Sequence, residues 1–143
     1  MPYTYDYPRP MLTVDAAVFC KIKSQISILL IKRKNEPYKD CWAFPGGFVE
    51  MDETLDEAIT RELVEETGLK NISLKQHHTY GAIDRDPRGR TVTVMYFGII
   101  NEINSEIKAG DDAAEAKWFP IQVLPELAFD HSEICRAIIK EII

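Results

Sequence analysis

GGFVEMDETLDEAITRELVEETGL, from Gly46 to Leu69, is the stretch on which the reading of this chain turns. A glycine pair opens it, after Trp42-Ala43-Phe44-Pro45, and the remainder reads as one helix that stops at Gly68. Thr54 and Glu57 have the spacing of a capping box, in which each side chain satisfies a backbone donor that the first turn leaves over. Gly68 suits the position just past the last turn, where a left-handed residue is wanted. Between these signals Leu55, Ile59 and Leu63 recur every four residues, which predicts one buried stripe.

Carboxylates share that stripe. At 100° per residue Glu66 falls within about 20° of Ile59, Glu62 about 60° to one side, and Glu65 about 60° beyond that. An unpaired carboxylate on a buried face costs several kcal/mol or takes up a proton. The helix has one arginine, Arg61, and its angle puts it on the far side. An exposed glutamate-rich face is the commonest fate of such a run, because Glu is a good helix former. The other reading is that the carboxylates await a cation, for which a hard divalent ion with oxygen ligands is suited.

The full spacing separates these readings. Gly47, five residues, Glu53, seven residues, then Arg61-Glu62-Leu63-Val64-Glu65-Glu66-Thr67-Gly68-Leu69 resembles the Nudix box of the Nudix hydrolases without a departure. The resemblance implies the Nudix fold, an α/β/α sandwich with a mixed β-sheet. It also implies a site that holds Mg2+ or Mn2+ over a pyrophosphate. Carried over, Glu62 and Glu66 lead as metal ligands, Glu65 contributes directly or through water, and the Gly46 carbonyl is a further ligand. Arg61 and Glu53 pair to hold the loop against the helix, and Glu50 is placed for an outer-sphere contact. A carboxylate outside the box often serves as base in this family; here Glu106, Asp111, Asp112 and Glu115 are available, with Asp112 or Glu115 preferred.

The rest of the chain bounds these implications. Its 143 residues suit a single domain with one sizeable core. Hydrophobic residues at 45% and charged ones at 28% are the balance of a soluble globular protein. The net charge of -6 is unevenly spread, with eight acidic residues and one basic between Glu50 and Glu66. That concentration argues against a nucleic-acid surface there and for a cation site. Cys20, Cys41 and Cys135 are scattered without metal-ligand spacing, read as reduced, and point to a cytoplasmic protein. No apolar run approaches the roughly 18 residues of a membrane span, and no signal pattern opens the chain.

In order, residues 1–10 form an extended arm in which Tyr3, Tyr5 and Tyr7 alternate, and 11–143 the Nudix domain. The arm's aromatics either pack on a second subunit, giving a homodimer, or form a loose tail. Strands are predicted over Leu12–Ile22, Gln25–Lys32, Ile72–Tyr80, Thr91–Ile100 and Lys117–Phe119. A brief helix is predicted near Ile121–Leu124, and another from Ser132 to Ile142, where Ile134, Ile138 and Ile142 recur at helical spacing behind Asp130 or Ser132 as cap. His77, His78 and His131 receive no catalytic role.

The resemblance implies a small-molecule nucleotide diphosphate as substrate. The loop Arg85-Asp86-Pro87-Arg88-Gly89-Arg90, and the Asp-Tyr-Pro-Arg-Pro arm ahead of Leu12-Thr13-Val14-Asp15, resemble ADP-ribose pyrophosphatases of the Nudix family. A marker proline of that group stands later here, at Pro87. Arg33, Arg85 and Arg88 could fork onto phosphate or ribose oxygens or remain exposed turn residues. Trp42 could stack on adenine or pack in the core. The expectation is Mg-dependent hydrolysis of ADP-ribose to AMP and ribose 5-phosphate. Its alternatives are another nucleotide, such as an oxidised nucleoside triphosphate or a dinucleoside polyphosphate, and a non-catalytic ADP-ribose-sensing regulator.

Overall fold

The computed structural model describes residues 2–101 and 113–142. The centre of the sheet is β1 (Met11–Ile22), buried without a break from Thr13 to Cys20. Continuous burial means both faces are covered, which is why this strand reads as an uninterrupted apolar run. It runs parallel to β6 (Thr91–Ile100) and antiparallel to β2 (Gln25–Arg33), so the sheet is mixed. Lys23 and Ser24 turn the β1–β2 hairpin with φ of 49° and 67°, the positive pair that a tight two-residue turn requires.

Outside this centre lie β3 (Trp42–Ala43) beside β2, and β5 (Lys75–Tyr80) beside β6. In addition β4 (Gly46–Phe48) pairs with β1 and β7 (Ala113–Pro120) with β2. The alternation of β1 divides the core. Val14, Ala16 and Val18 face α1 (Leu55–Thr67), meeting Ala58, Ile59 and Leu63. Ala17 and Phe19 face α2 (His131–Ile142), meeting Ile134, Cys135 and Ile138. The result is the three-layer α/β/α sandwich.

The expected element ends need three corrections. Residues 121–124 form a turn, not a helix: Ile121 N–H donates to the Ile26 carbonyl and Val123 N–H to that of Pro120. Pro125 also disfavours helix at the residue before it. The strand expected from Ile72 begins only at Lys75, while Ile72 and Leu74 lie against the core as irregular chain. The short strand at Lys117–Phe119 extends over Ala113–Pro120 because it pairs along most of β2. No helix among the described residues is long and apolar enough to cross a membrane.

Candidate active site

Thr54 caps α1 through the full capping box, its hydroxyl accepting from Glu57 N–H while the Glu57 carboxylate accepts from Thr54 N–H. Gly68 closes the helix with φ of 79°. These ends fix the rotation of the helix, and with it where the glutamates point. Glu62 and Glu66 are nearly buried, at 8% and 6% exposure, on the flank facing β4. A cleft of about 490 Å³ opens there, with Asp15, the glycine pair and the glutamates on one wall. Arg33, Arg88, Phe129 and His131 contribute other parts of its lining.

Backbone and carboxylates interlock. Gly46 N–H donates to Glu66 Oε1 at 2.7 Å. A side chain at Gly46 would collide with the Val14 carbonyl and with Asp15, and a Cβ at Gly47 would lie 2.7 Å from Glu62 Oε1. Gly46 is required by lack of space against backbone, whereas at Gly47 the space is taken by the Glu62 carboxylate; neither has a positive φ.

Arg61 departs from the helical-wheel expectation. Its side chain curls back from the far side, donating from Nη1 to Glu62 at 2.7 Å and to Glu65 at 3.2 Å. Nε and Nη2 grip Glu53 at 2.9 and 2.6 Å, and Nη2 also reaches the Phe48 carbonyl at 3.2 Å. Arginine's length allows this where an angle measured at Cα does not. The bond from Arg61 holds the Glu53 carboxyl down at about 2, and Glu53 in turn accepts from Glu50 N–H. The loop between β4 and α1 is thereby tied to the helix.

The donor set consists of oxygens, two of them on carboxylates withdrawn from water, and suits a hard divalent cation. In this arrangement Glu62 and Glu65 lean on Arg61, and no three acidic, His or Cys side chains converge as a metal cluster among the described residues.

The remaining candidates separate. Arg88 lines the cleft, clasping the buried Asp86 through Nε and Nη2. Arg33 donates from Nε to the Pro37 carbonyl at 2.7 Å. Arg85 has its fork on Asp130, at 2.9 and 2.8 Å, and is almost wholly buried, so it ties its loop to the start of α2 instead of presenting a free fork. Trp42 is not in the cleft lining: its ring meets Phe119 edge-on at 4.6 Å among the core residues under α2. Glu115 is not brought there either, because the β2–β7 register sets it opposite Lys32, 3.6 Å away, with its side chain exposed. Asp112, with Glu106 and Asp111, lies outside the described residues.

Three cleft residues, Asp15, His131 and Phe129, lie outside the expected site set, His131 as a residue given no catalytic role. Asp15 is buried, accepts from Thr93 Oγ1 at 2.5 Å, and burial raises its carboxyl to about 6. An acid inside the run Leu12–Cys20 was the available signal. His131 accepts from Phe44 N–H through Nδ1 at 3.3 Å, and burial depresses its imidazole to about 3. Phe129 left no sequence signal at all.

The NUDIX domain family model matches residues 11–138. An ADP-ribose pyrophosphatase of Methanocaldococcus jannaschii is 47% identical over 130 residues, covering 91% of this chain and 73% of that protein. The ADPR responsive transcriptional repressor NtrR of Acinetobacter baylyi is 41% identical over 90% of this chain but 53% of its own length. Among solved structures, the NUDIX domain of Shewanella oneidensis NrtR complexed with ADP ribose superposes with a TM-score of 0.90 at 31% identity, covering 97% of this chain and 94% of that one. With an intact box folded onto the sheet in this way, the chain belongs to the Nudix hydrolase family.

Proposed function

We propose that this protein hydrolyses ADP-ribose to AMP and ribose 5-phosphate with the help of Mg2+ or Mn2+. The observation that carries the reading is a cleft with buried carboxylates on one wall and guanidinium groups in its lining, in a chain 47% identical to an ADP-ribose pyrophosphatase. Nudix hydrolases generally use divalent metals. Glu62, Glu66, Glu65 and the Gly46 carbonyl are the groups to hold such an ion, which when bound neutralises phosphate charge and lowers the pKa of water. Glu66 is oriented for this by Gly46 N–H, and Glu62 is confined by the bare Gly47 backbone. Arg61 and Glu53 hold the loop against the helix beside the metal-binding glutamates. Arg33 and Arg88 meet the anionic substrate, where paired N–H donors suit phosphate oxygens. Asp112 remains the candidate for the base.

The repressor relative favours a second reading, in which ADP-ribose is bound and sensed without being cleaved. Mg-dependent release of AMP, measured across ADP-ribose, NADH, diadenosine polyphosphates and 8-oxo-dGTP, decides between them. AMP formed fastest from ADP-ribose supports the enzyme. Tight ADP-ribose binding with no AMP supports the sensor. The exposed tyrosines of the arm, with Tyr3 and Tyr5 stacked at 6.3 Å, support a homodimer; a sedimentation coefficient unchanged by removing residues 1–7 would count against it.

A further inference from the structure

Phe129 has a φ of 52°, in the left-handed region that a bulky side chain rarely occupies. The backbone imposes it from both sides. Ala128 N–H donates to the Trp42 carbonyl at 2.8 Å, and His131 N–H donates to the Ala128 carbonyl at 3.0 Å. The ring between these anchors is turned into the cleft lining. There the Arg33 guanidinium lies over it, 5.0 Å from its centroid, and the Arg88 guanidinium 5.1 Å from the same centroid. Arg88 is also 5.1 Å from the ring of Phe48. Tyr38 backs Phe129 at 4.9 Å.

Two cations gathered on one ring repel each other, and among the described residues Arg33 has no carboxylate within ion-pair distance; its bonds go to the carbonyls of Pro37 and Asn35. The electron-rich face of an aromatic ring can hold guanidinium groups without neutralising them. A further carboxylate in the same place would neutralise more of the positive charge that an anion needs, as Asp86 already does in part for Arg88. Glycine or asparagine would satisfy the turn with less strain, and the ring that stands there instead lines the cleft.

We propose that Phe129 is a positioning residue that gathers Arg33 and Arg88 so that their Nη1 donors, beside those engaged with Pro37, Asn35 and Asp86, meet one anionic group of the substrate. The inference rests on the diphosphate reading of the cleft. Its test uses the full chain with Phe129→Leu, which keeps apolar bulk, and Phe129→Tyr, which keeps the ring face. Inorganic pyrophosphate, titrated calorimetrically at low ionic strength without added metal, is the probe. Phe129→Leu is expected to weaken its binding roughly tenfold, and Phe129→Tyr to restore it to within about twofold. With the best-cleaved diphosphate, KM should rise about as much in Phe129→Leu while kcat stays nearly constant. Phe129→Met gives the same comparison should leucine fail to pack.

Wild-type affinity in Phe129→Leu, failure of Phe129→Tyr to recover it, or no pyrophosphate binding by the wild type at millimolar concentration each overturns the proposal. If the wild type cleaves no diphosphate, the hydrolase reading alone falls; the pyrophosphate titration still judges Phe129.

Discussion

Gly46 N–H reaches across twenty residues of sequence to donate a 2.7 Å hydrogen bond to Glu66 Oε1. The bond joins the glycine pair to the last turn of α1, and so couples the shape of β4 to the direction of a carboxylate. It also provides a clean experiment. In Glu66→Gln the amide oxygen can still accept from Gly46, so the fold should melt within a few degrees of the wild type while the negative charge is gone. Turnover of ADP-ribose is expected to drop on the order of 10²–10³-fold. Wild-type turnover in a correctly folded variant would remove Glu66 from the chemistry.

The two glycines should fail differently when each becomes alanine. At Gly46 the added methyl meets backbone, the Val14 carbonyl and the Asp15 Cα, neither of which can move without disturbing the central strand. Gly46→Ala should lose about 1–3 kcal/mol in urea denaturation. At Gly47 the atoms nearest the methyl belong to the Glu62 carboxylate, the end of a flexible side chain. Gly47→Ala should therefore retain most stability and lose activity, by about tenfold or more, as Glu62 is pushed aside. Equal stability losses in the two variants would contradict this account.

How far the sequence disclosed the site follows from how local each signal was. The helix, its capping box and the left-handed Gly68 depend on neighbours within a few residues, so Thr54, Glu57 and the Leu55–Ile59–Leu63 stripe could be read directly. The reach of Arg61 to Glu62 and Glu65 does not follow from its angle on the helix, because side-chain length overrides it; its pairing with Glu53 is implied by the resemblance to the Nudix box. Arg85 looked like a free fork because its partner Asp130 lies 45 residues further on. The turn that aims Phe129 is imposed by a bond to Trp42, and no pattern near Phe129 announces it.

That distant pairing gives a stability prediction. Arg85 and Asp130 form a two-point ion pair with side-chain exposures of 4% and 19%, and truncating one partner leaves the other's charge poorly compensated. Arg85→Ala should cost about 3 kcal/mol in urea denaturation, toward the lower end for such pairs because Asp130 keeps some water. Arg85→Lys should recover little, since one ammonium cannot replace both donors. If Arg85→Ala instead leaves stability intact and raises KM alone, the arginine serves the substrate and not the α2 start.

His131 carries the pH dependence. Its imidazole is buried, accepts from Phe44 N–H and is depressed to about 3 from an ordinary 6.5, with Arg85 and Arg33 adding to the depression and Asp130 and Asp86 opposing it. Between those two values the unfolded chain binds the proton and the folded chain does not. The contribution is therefore complete above about 6.5 and is lost as pH falls toward 3, with a slope of at most about 1.4 kcal/mol per pH unit. Asp15, raised to about 6 by burial, acts in the opposite sense between 3.8 and 6, so the wild-type curve alone does not isolate the histidine. The difference between wild type and His131→Gln does, because glutamine can accept a hydrogen bond but takes up no proton. Lowering the pH from 7 to 5 should lower the urea midpoint of the wild type relative to that of His131→Gln, in which only the opposing Asp15 contribution remains. Parallel curves would mean that His131 gains its proton in the folded protein as easily as in the unfolded one.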